Sequence, residues 1–227
     1  MRTPTIGGAL RQAAIDFYFN SIRFAGANLV WGLVLLVVLF AAVVWPPAAM
    51  LAVLLAVPLA GLHRMAALLV RDEAPSFSDF VEGMRRFGLH ATGIAAAAAL
   101  AGAILLTNVT IGFGSDGPVG WFLGASALYG LIALAMFLVA TWPVLVDPNR
   151  AGSSLRRRLQ VAALVVIGRP GRLFLVTAII VLVLALSTVL LAGIVLFGVG
   201  YASLVAARWV LPTADALEAR FEAARAR

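Results

Sequence analysis

The chain has 227 residues, 63% of them hydrophobic, with a mean hydropathy of +1.05. Soluble domains are roughly 45–50% apolar, so this composition predicts a single membrane domain over residues 1–227 with no sizeable soluble domain. The net charge of +7 comes from 17 arginines that flank apolar runs, which predicts contact with anionic lipid headgroups rather than nucleic-acid binding. The absence of cysteine excludes disulfides, thiolate metal sites and a cysteine nucleophile.

The apolar runs predict an all-α, polytopic membrane helix bundle with six transmembrane helices, each needing about 20 residues. Pro46-Pro47 divides the first run into helices over 24–45 and 48–70, since proline lacks the backbone N–H. Helices over 88–107 and 119–146 follow, separated by a polar loop over 108–118. The last run, 173–207, fits two spans with a turn near Leu191–Gly193, and five spans in total are the alternative.

The positions of the arginines favour six spans. With the N-terminus in the cytoplasm and the spans arranged as three hairpins, the outer loops carry no arginine and one acid, Asp116. This satisfies the positive-inside rule, whereas five spans would export the arginines of the C-terminal region. The sequence therefore predicts a multi-pass membrane protein with both termini and a tail over 213–227 in the cytoplasm.

Three segments, 8–23, 76–87 and 153–167, are predicted to form cytoplasmic or interfacial amphipathic helices before the hairpins. Ser76 or Ser78 caps the second and Ser153 or Ser154 the third, which ends at Gly168. Such helices either lie in the headgroup plane or form a docking face for another protein. The residues predicted to contact a partner or lipid are Arg71, Phe77, Phe80, Arg85, Arg86, Arg156, Arg157, Arg158, Arg169 and Arg172.

Few side chains suggest chemistry. His63 and His90 lack the spacing of metal ligands. Four acids next to arginines predict surface ion pairs rather than acid–base pairs: Asp72, Glu73, Asp79 and Glu82. The sequence therefore predicts no catalytic residue, cofactor or metal, and a protein that is not an enzyme.

Small residues and prolines make predictions about packing. Gly120 and Gly124, four residues apart, permit a close approach between helices. Pro58 and Pro143 are expected to kink or locally open their helices. We interpret these features as packing devices.

Over residues 10–212, the order of several motifs resembles the YesL family of bacterial membrane proteins, a family of unknown function. The motifs are Trp45-Pro46-Pro47, Val70-Arg71-Asp72-Glu73, Ser76-Phe77-Ser78-Asp79-Phe80, Arg85-Arg86-Phe87, Trp142-Pro143-Val144-Leu145, and a segment over 155–172 that closes on Arg-Pro-Gly-Arg. The chain departs from the family in having no lysine. The resemblance implies an integral protein of the bacterial cytoplasmic (inner) membrane whose relatives accompany sugar-importing ABC systems, with transporter subunits as partners.

Two functions follow as expectations. The first is a non-enzymatic protein accessory to a carbohydrate ABC import system, which docks through its arginine-rich cytoplasmic helices. The alternative is a small transporter or channel for a neutral solute, without proton or sodium coupling because no acid is expected inside the membrane. Its polar path would use Asn28, Thr107, Tyr129, Thr141, Thr177, Ser187 and Ser203. The oligomeric state is left open.

Overall fold

The computed structural model describes residues 4–190 and 193–225, and these residues form helices without any β-strand. The α-helices are α1 (Ile6–Phe19), α2 (Ser21–Val44), α3 (Ala56–Val70), α4 (Phe77–Gly114), α5 (Pro118–Val146), α6 (Leu155–Gly168), α7 (Pro170–Val189) and α8 (Val199–Arg225). Short 3₁₀-helices cover Pro46–Leu55 and Pro148–Arg150, and a π-helical turn, Ile194–Gly198, leads into α8.

Six helical stretches are long and apolar enough to cross a membrane, which confirms the predicted number of candidate spans. They are Ser21–Val44, Pro46–Val70, Phe77–Gly114, Pro118–Val146, Pro170–Val189 and Ile194–Ala224. The last two are separate helices, as six spans require and five would not. Of the turn predicted near Leu191–Gly193, residues 191 and 192 lie outside the described part of the chain.

The second candidate span differs from its prediction in helix type. The break at Pro46-Pro47 is confirmed, since α2 ends at Val44. The chain then forms a 3₁₀-helix over Pro46–Leu55 and becomes α-helical only at Ala56. Pro58 has no N–H to donate to Leu54, so an α-helical hydrogen bond is missing where the helix changes type.

The loop predicted over 108–118 is present but shorter than predicted, because α4 continues to Gly114 and α5 begins at Pro118. Thr107, Thr110 and Ser115 each donate a hydroxyl hydrogen bond to the carbonyl four residues earlier, so these polar side chains are satisfied within the helix. The linker to α5 is only three residues long and includes Gly117, whose φ of 107° is a left-handed conformation that suits glycine. Polar composition alone therefore located the loop but overestimated its length.

The segment predicted as a separate helix over 76–87 is the first part of α4. It begins with a capping box, in which the Ser76 amide donates to Asp79 at 2.7 Å. The segment predicted over 153–167 is a helix of its own, α6, capped by Ser154 and ending at Gly168 as expected. The first segment, predicted over 8–23, is α1, which ends at Phe19 before α2 begins.

The tail predicted over 213–227 is helical as far as Arg225, while residues 226–227 lie outside the described part. Thr213 and Ala214 are fully buried and Leu217 nearly so. A Cβ atom added to Gly168 would lie 3.1 Å from the Leu217 side chain, so α8 packs closely on the end of α6. Apolar side chains at helical spacing therefore hold this segment against the bundle despite its charges.

Glycines allow α4 and α5 to meet at one end of the bundle. A Cβ atom added to Gly112 would lie 2.3 Å from the amide nitrogen of Gly124, closer than any side chain permits. One added to Gly120 would lie 2.8 Å from the Gly112 carbonyl oxygen. These distances confirm the close approach predicted for Gly120 and Gly124.

We expect Gly112→Ala to lower the free energy of unfolding by about 1–3 kcal/mol, because the new methyl group must push the backbones apart. The matched control is Gly93→Ala on the same helix, where a Cβ atom meets nothing within 4 Å. The control is expected to be neutral or stabilising, since alanine favours helix by about 0.5–1 kcal/mol. Unfolding in mixed detergent micelles compares the two, and equal stabilities would contradict the tight contact.

Candidate functional site

The opposite end of the bundle is held together by charged side chains, including two that come just after α3 and α5 and one that lies within α8. Arg71, just after α3, donates to Asp147, just after α5, through Nε at 3.0 Å and Nη2 at 2.6 Å. Arg71 also donates to Asp215 of α8, at 2.7 and 3.2 Å. The planar guanidinium matches a carboxylate with two parallel hydrogen bonds, so Arg71 joins the ends of α3 and α5 to the side of α8 in a fixed geometry.

The contacts extend to two further arginines. Arg150 donates to Asp147, to Asp215 at 2.7 Å and to Glu218 at 2.5 Å. Glu218 also accepts from Arg157 at 3.2 Å. We call this group the ionic cluster; its members are Arg71, Asp147, Arg150, Arg157, Asp215 and Glu218.

The ionic cluster is built to hold charge rather than to transfer protons. Burial lowers the pKa of Arg71, but hydrogen bonds to Asp147 and Asp215 outweigh it and raise the pKa above its usual value. The same balance, with Glu218 as the strongest partner, raises the pKa of Arg150. Both guanidinium groups therefore stay charged at any physiological pH, which suits a structural platform.

A second ion pair attaches α1 to this end. Arg208 of α8 donates from Nε to Asp16 of α1 at 2.5 Å and from Nη2 to the carbonyl of Leu69 at 3.2 Å. Asp16 is buried and also accepts from Gln12 at 3.1 Å. α1 therefore packs on the bundle through specific contacts.

Three of the residues predicted to contact a partner or lipid are not on the surface. Phe80 is fully buried, where it packs against Gly61 of α3. Arg71 belongs to the ionic cluster, and Arg158 is only 7% exposed. Phe80 and Arg158 lie on the stripes of α4 and α6 that face the bundle, and Arg71, just after α3, is bonded within the ionic cluster, so these three do not form part of an exposed docking face.

The other predicted residues are accessible and form what we call the arginine surface. Its exposed members are Phe77, Arg85, Arg86, Arg156, Arg157 and Arg172, and Arg169 is partly exposed. The two segments that supply these residues meet at Phe87. The guanidinium carbon of Arg86 lies 5.5 Å from the centre of the Phe87 ring, and that of Arg158 lies 5.4 Å from it.

A cavity of about 160 Å³ lies among the candidate spans and is mostly apolar. Its lining includes His63 of α3, Trp142 of α5 and Ser203 of α8. The His63 ring is buried, stacks on Trp142 and has no partner for Nδ1 among the described residues. Ser203 donates to the Val199 carbonyl at 2.9 Å.

The residues proposed for a polar path do not share one location. Tyr129 is 74% exposed on the outside of α5, and Thr107 is exposed on α4. Asn28 is fully buried, but it is bonded to the backbone around the π-helical turn. Of the seven, only Ser203 lines the cavity beside His63.

Sequence reasoning missed the acids of the ionic cluster. Asp147 was interpreted only as the end of a helix, and Asp215 and Glu218 were placed in a tail. A usable signal was present, because Asp215, Glu218 and Glu222 recur at positions i, i+3 and i+7. That spacing places three acids on one face of a helix.

The acids of the ionic cluster are bonded to arginines and are not free to bind a metal ion. In residues 4–190 and 193–225, no group of three or more histidines or acids is arranged to hold a metal ion. Asp147, Asp215 and Glu218 are each bonded to at least one guanidinium group.

No family model, curated protein or solved structure matches the chain.

Proposed function

We propose that this chain is a non-enzymatic accessory protein of the bacterial cytoplasmic membrane that docks on subunits of a carbohydrate ABC importer. The order of motifs that resembles the YesL family supports the importer as the partner. The positive-inside rule supports placing the termini and the arginine surface in the cytoplasm.

The single observation that carries the proposal is the arginine surface itself. Among the ion pairs of the described residues, none includes Arg85, Arg156 or Arg172. Arg156 is the chain neighbour of Arg157, which the ionic cluster holds through Glu218 of α8. Uncompensated charge on a rigid support favours recognition of an acidic protein surface, since complementary charge steers and orients association.

The test is affinity purification from native membranes in mild detergent. We expect the double variant Arg85→Glu, Arg156→Glu to reduce recovery of an importer subunit about tenfold, because both changes replace attraction by repulsion. The matched control is Arg11→Glu, Arg220→Glu, which makes the same charge change at exposed positions outside the arginine surface. Recovery of the unmodified protein as a lone chain, or equal losses in both variants, would contradict the proposal.

A small transporter or channel for a neutral solute is the second candidate, and the cavity beside His63 favours it. Its volume of about 160 Å³ is well above the roughly 10–15 Å³ that one water molecule needs. Pro143 cannot donate to the carbonyl of Val139, which lines the cavity, so a backbone acceptor there lacks its usual donor. The apolar lining suits a solute with few hydroxyl groups better than a sugar. Flux into liposomes no faster than into empty vesicles would reject this candidate.

A further inference from the structure

A cleft between α4, α5 and α6, which we call the Phe87 cleft, has a volume of about 150 Å³ and contains more positive charge than its surroundings balance. Its lining includes Arg86, Phe87, His90, Leu145, Ser153 and Arg158. Both guanidinium groups approach the Phe87 ring, at 5.5 and 5.4 Å from its centre. The cleft therefore brings two cations together around one aromatic ring.

Arg158 is the unusual member, because it is a buried cation with only neutral acceptors. It donates to the carbonyls of Leu145, Arg150 (2.8 Å) and Ala151 (3.1 Å), and through Nε to the Ser153 hydroxyl at 3.2 Å. These bonds use four of the five N–H groups of a guanidinium. No carboxylate within the described ranges forms an ion pair with Arg158.

The nearby acids do not neutralise this charge. Asp147 is already bonded to Arg71 and Arg150. Glu82 lies 3.8 Å from Arg86, and both side chains of that pair are about half exposed, so the contact is weak. Burial lowers the pKa of Arg158, and the positive charge of Arg86 lowers it further. A buried charge without a counter-charge is costly, so an anion in the cleft would be stabilising.

The depth of the cleft indicates the source of the anion. Leu145 is the penultimate residue of α5, and Arg86 is the last arginine before the long uncharged stretch of α4. The cleft thus lies where the charged end of the bundle meets the apolar spans, which is the level of lipid phosphates. Leu145 and Phe87 add apolar surface beside the cations, as a lipid requires below its headgroup.

We propose that the Phe87 cleft binds a phosphate-bearing anion, namely the headgroup of an anionic phospholipid held by Arg86 and Arg158. Arg158 supplies a fixed positive charge whose orientation is set by its bonds to the α5–α6 connection. Arg86 is about half exposed and is free to close on the phosphate. This site is separate from the docking test above, which changes Arg85 and Arg156 and leaves the cleft intact.

The experiment is native mass spectrometry of the full chain released from detergent micelles that contain phosphatidylglycerol or phosphatidylcholine. We expect one phosphatidylglycerol to be retained in preference to phosphatidylcholine, and Arg86→Gln to weaken that retention about tenfold, since one charge-assisted contact is lost. Arg86→Lys is expected to restore most of the preference. Arg85→Gln is the matched control, because it removes a neighbouring exposed arginine that does not line the cleft.

Four results would overturn the proposal. Equal retention of the two lipids would show that negative charge is not recognised. An unchanged preference in Arg86→Gln, or an equal loss in Arg85→Gln, would place the lipid elsewhere on the protein. Saturable binding of inorganic phosphate that displaces phosphatidylglycerol would overturn the assignment to a lipid and identify free phosphate as the ligand.

Discussion

Replacing Asp147 by Asn is expected to lower the free energy of unfolding by about 3–5 kcal/mol, the cost of breaking a buried ion pair by removing one partner. Asp147 is fully buried and accepts from both Arg71 and Arg150, whose side chains are only 14% and 9% exposed. The amide cannot neutralise two guanidinium groups, and neither arginine can turn to water without opening the contacts between α3, α5 and α8.

The measurement is unfolding in mixed micelles of mild and denaturing detergent, followed by tryptophan fluorescence. Glu82→Gln is the matched control, because it makes the same chemical change in the exposed pair with Arg86 at 3.8 Å. Exposed pairs contribute about 0–1 kcal/mol, so the control should unfold almost with the unmodified protein. If Asp147→Asn unfolds together with the control, the ionic cluster does not fasten the helix ends.

Much of the fold could be predicted because the signals are local. Length and hydropathy locate the six candidate spans, and Pro46-Pro47 separates the first two. Ser76, Ser154 and Gly168 begin or end their helices through bonds to residues only a few positions away. Such features depend on one segment of chain at a time, which is why a single sequence contains them.

Two boundaries could not be predicted, since polar composition is ambiguous in a membrane helix. The stretch over 108–114 is as rich in small and polar residues as a loop, but hydroxyl groups there bond within the helix. The segment after Pro212 has enough charge to suggest a tail, but it is helical and packs on α6. In both cases the deciding contacts lie outside the pattern of charge and hydropathy.

The candidate site was predicted only in part, because its ionic contacts join distant parts of the chain. Arg71 and Asp147 are 76 positions apart, and Arg71 and Asp215 are 144 apart. The sequence marked Arg71 as important but suggested its neighbours Asp72 and Glu73 as partners. The structure leaves both acids exposed on the surface. Which arginines of α4 and α6 stay exposed depends on where those helices pack, and this information is tertiary.

A second large effect is expected for Asn28→Leu, which should lower the free energy of unfolding by about 2 kcal/mol. The side chain of Asn28 is fully buried between α2 and the π-helical turn before α8. Its amide nitrogen donates to the carbonyls of Ile194 and Val195, each at 2.8 Å, and its oxygen accepts from the Gly200 amide at 2.7 Å. Leucine has a similar size but leaves three backbone groups without this partner in an apolar region that holds little water.

The loss of stability in Asn28→Leu should be local as well as global. We expect faster hydrogen exchange at residues 194–200 in Asn28→Leu, because the π-helical turn loses the side chain that satisfies it. Thr107→Val is the matched control: it also removes a polar group from a candidate span, but Thr107 is exposed and bonds only to Ala103 of its own helix. That control should leave stability and exchange near those of the unmodified protein.

Unchanged hydrogen exchange at residues 194–200 in Asn28→Leu would contradict this account. It would mean that the π-helical turn is held by the packing of Val195 against Gly32, since a Cβ atom added to Gly32 would lie 2.6 Å from the valine side chain. Asn28 would then add no stability of its own to the last span.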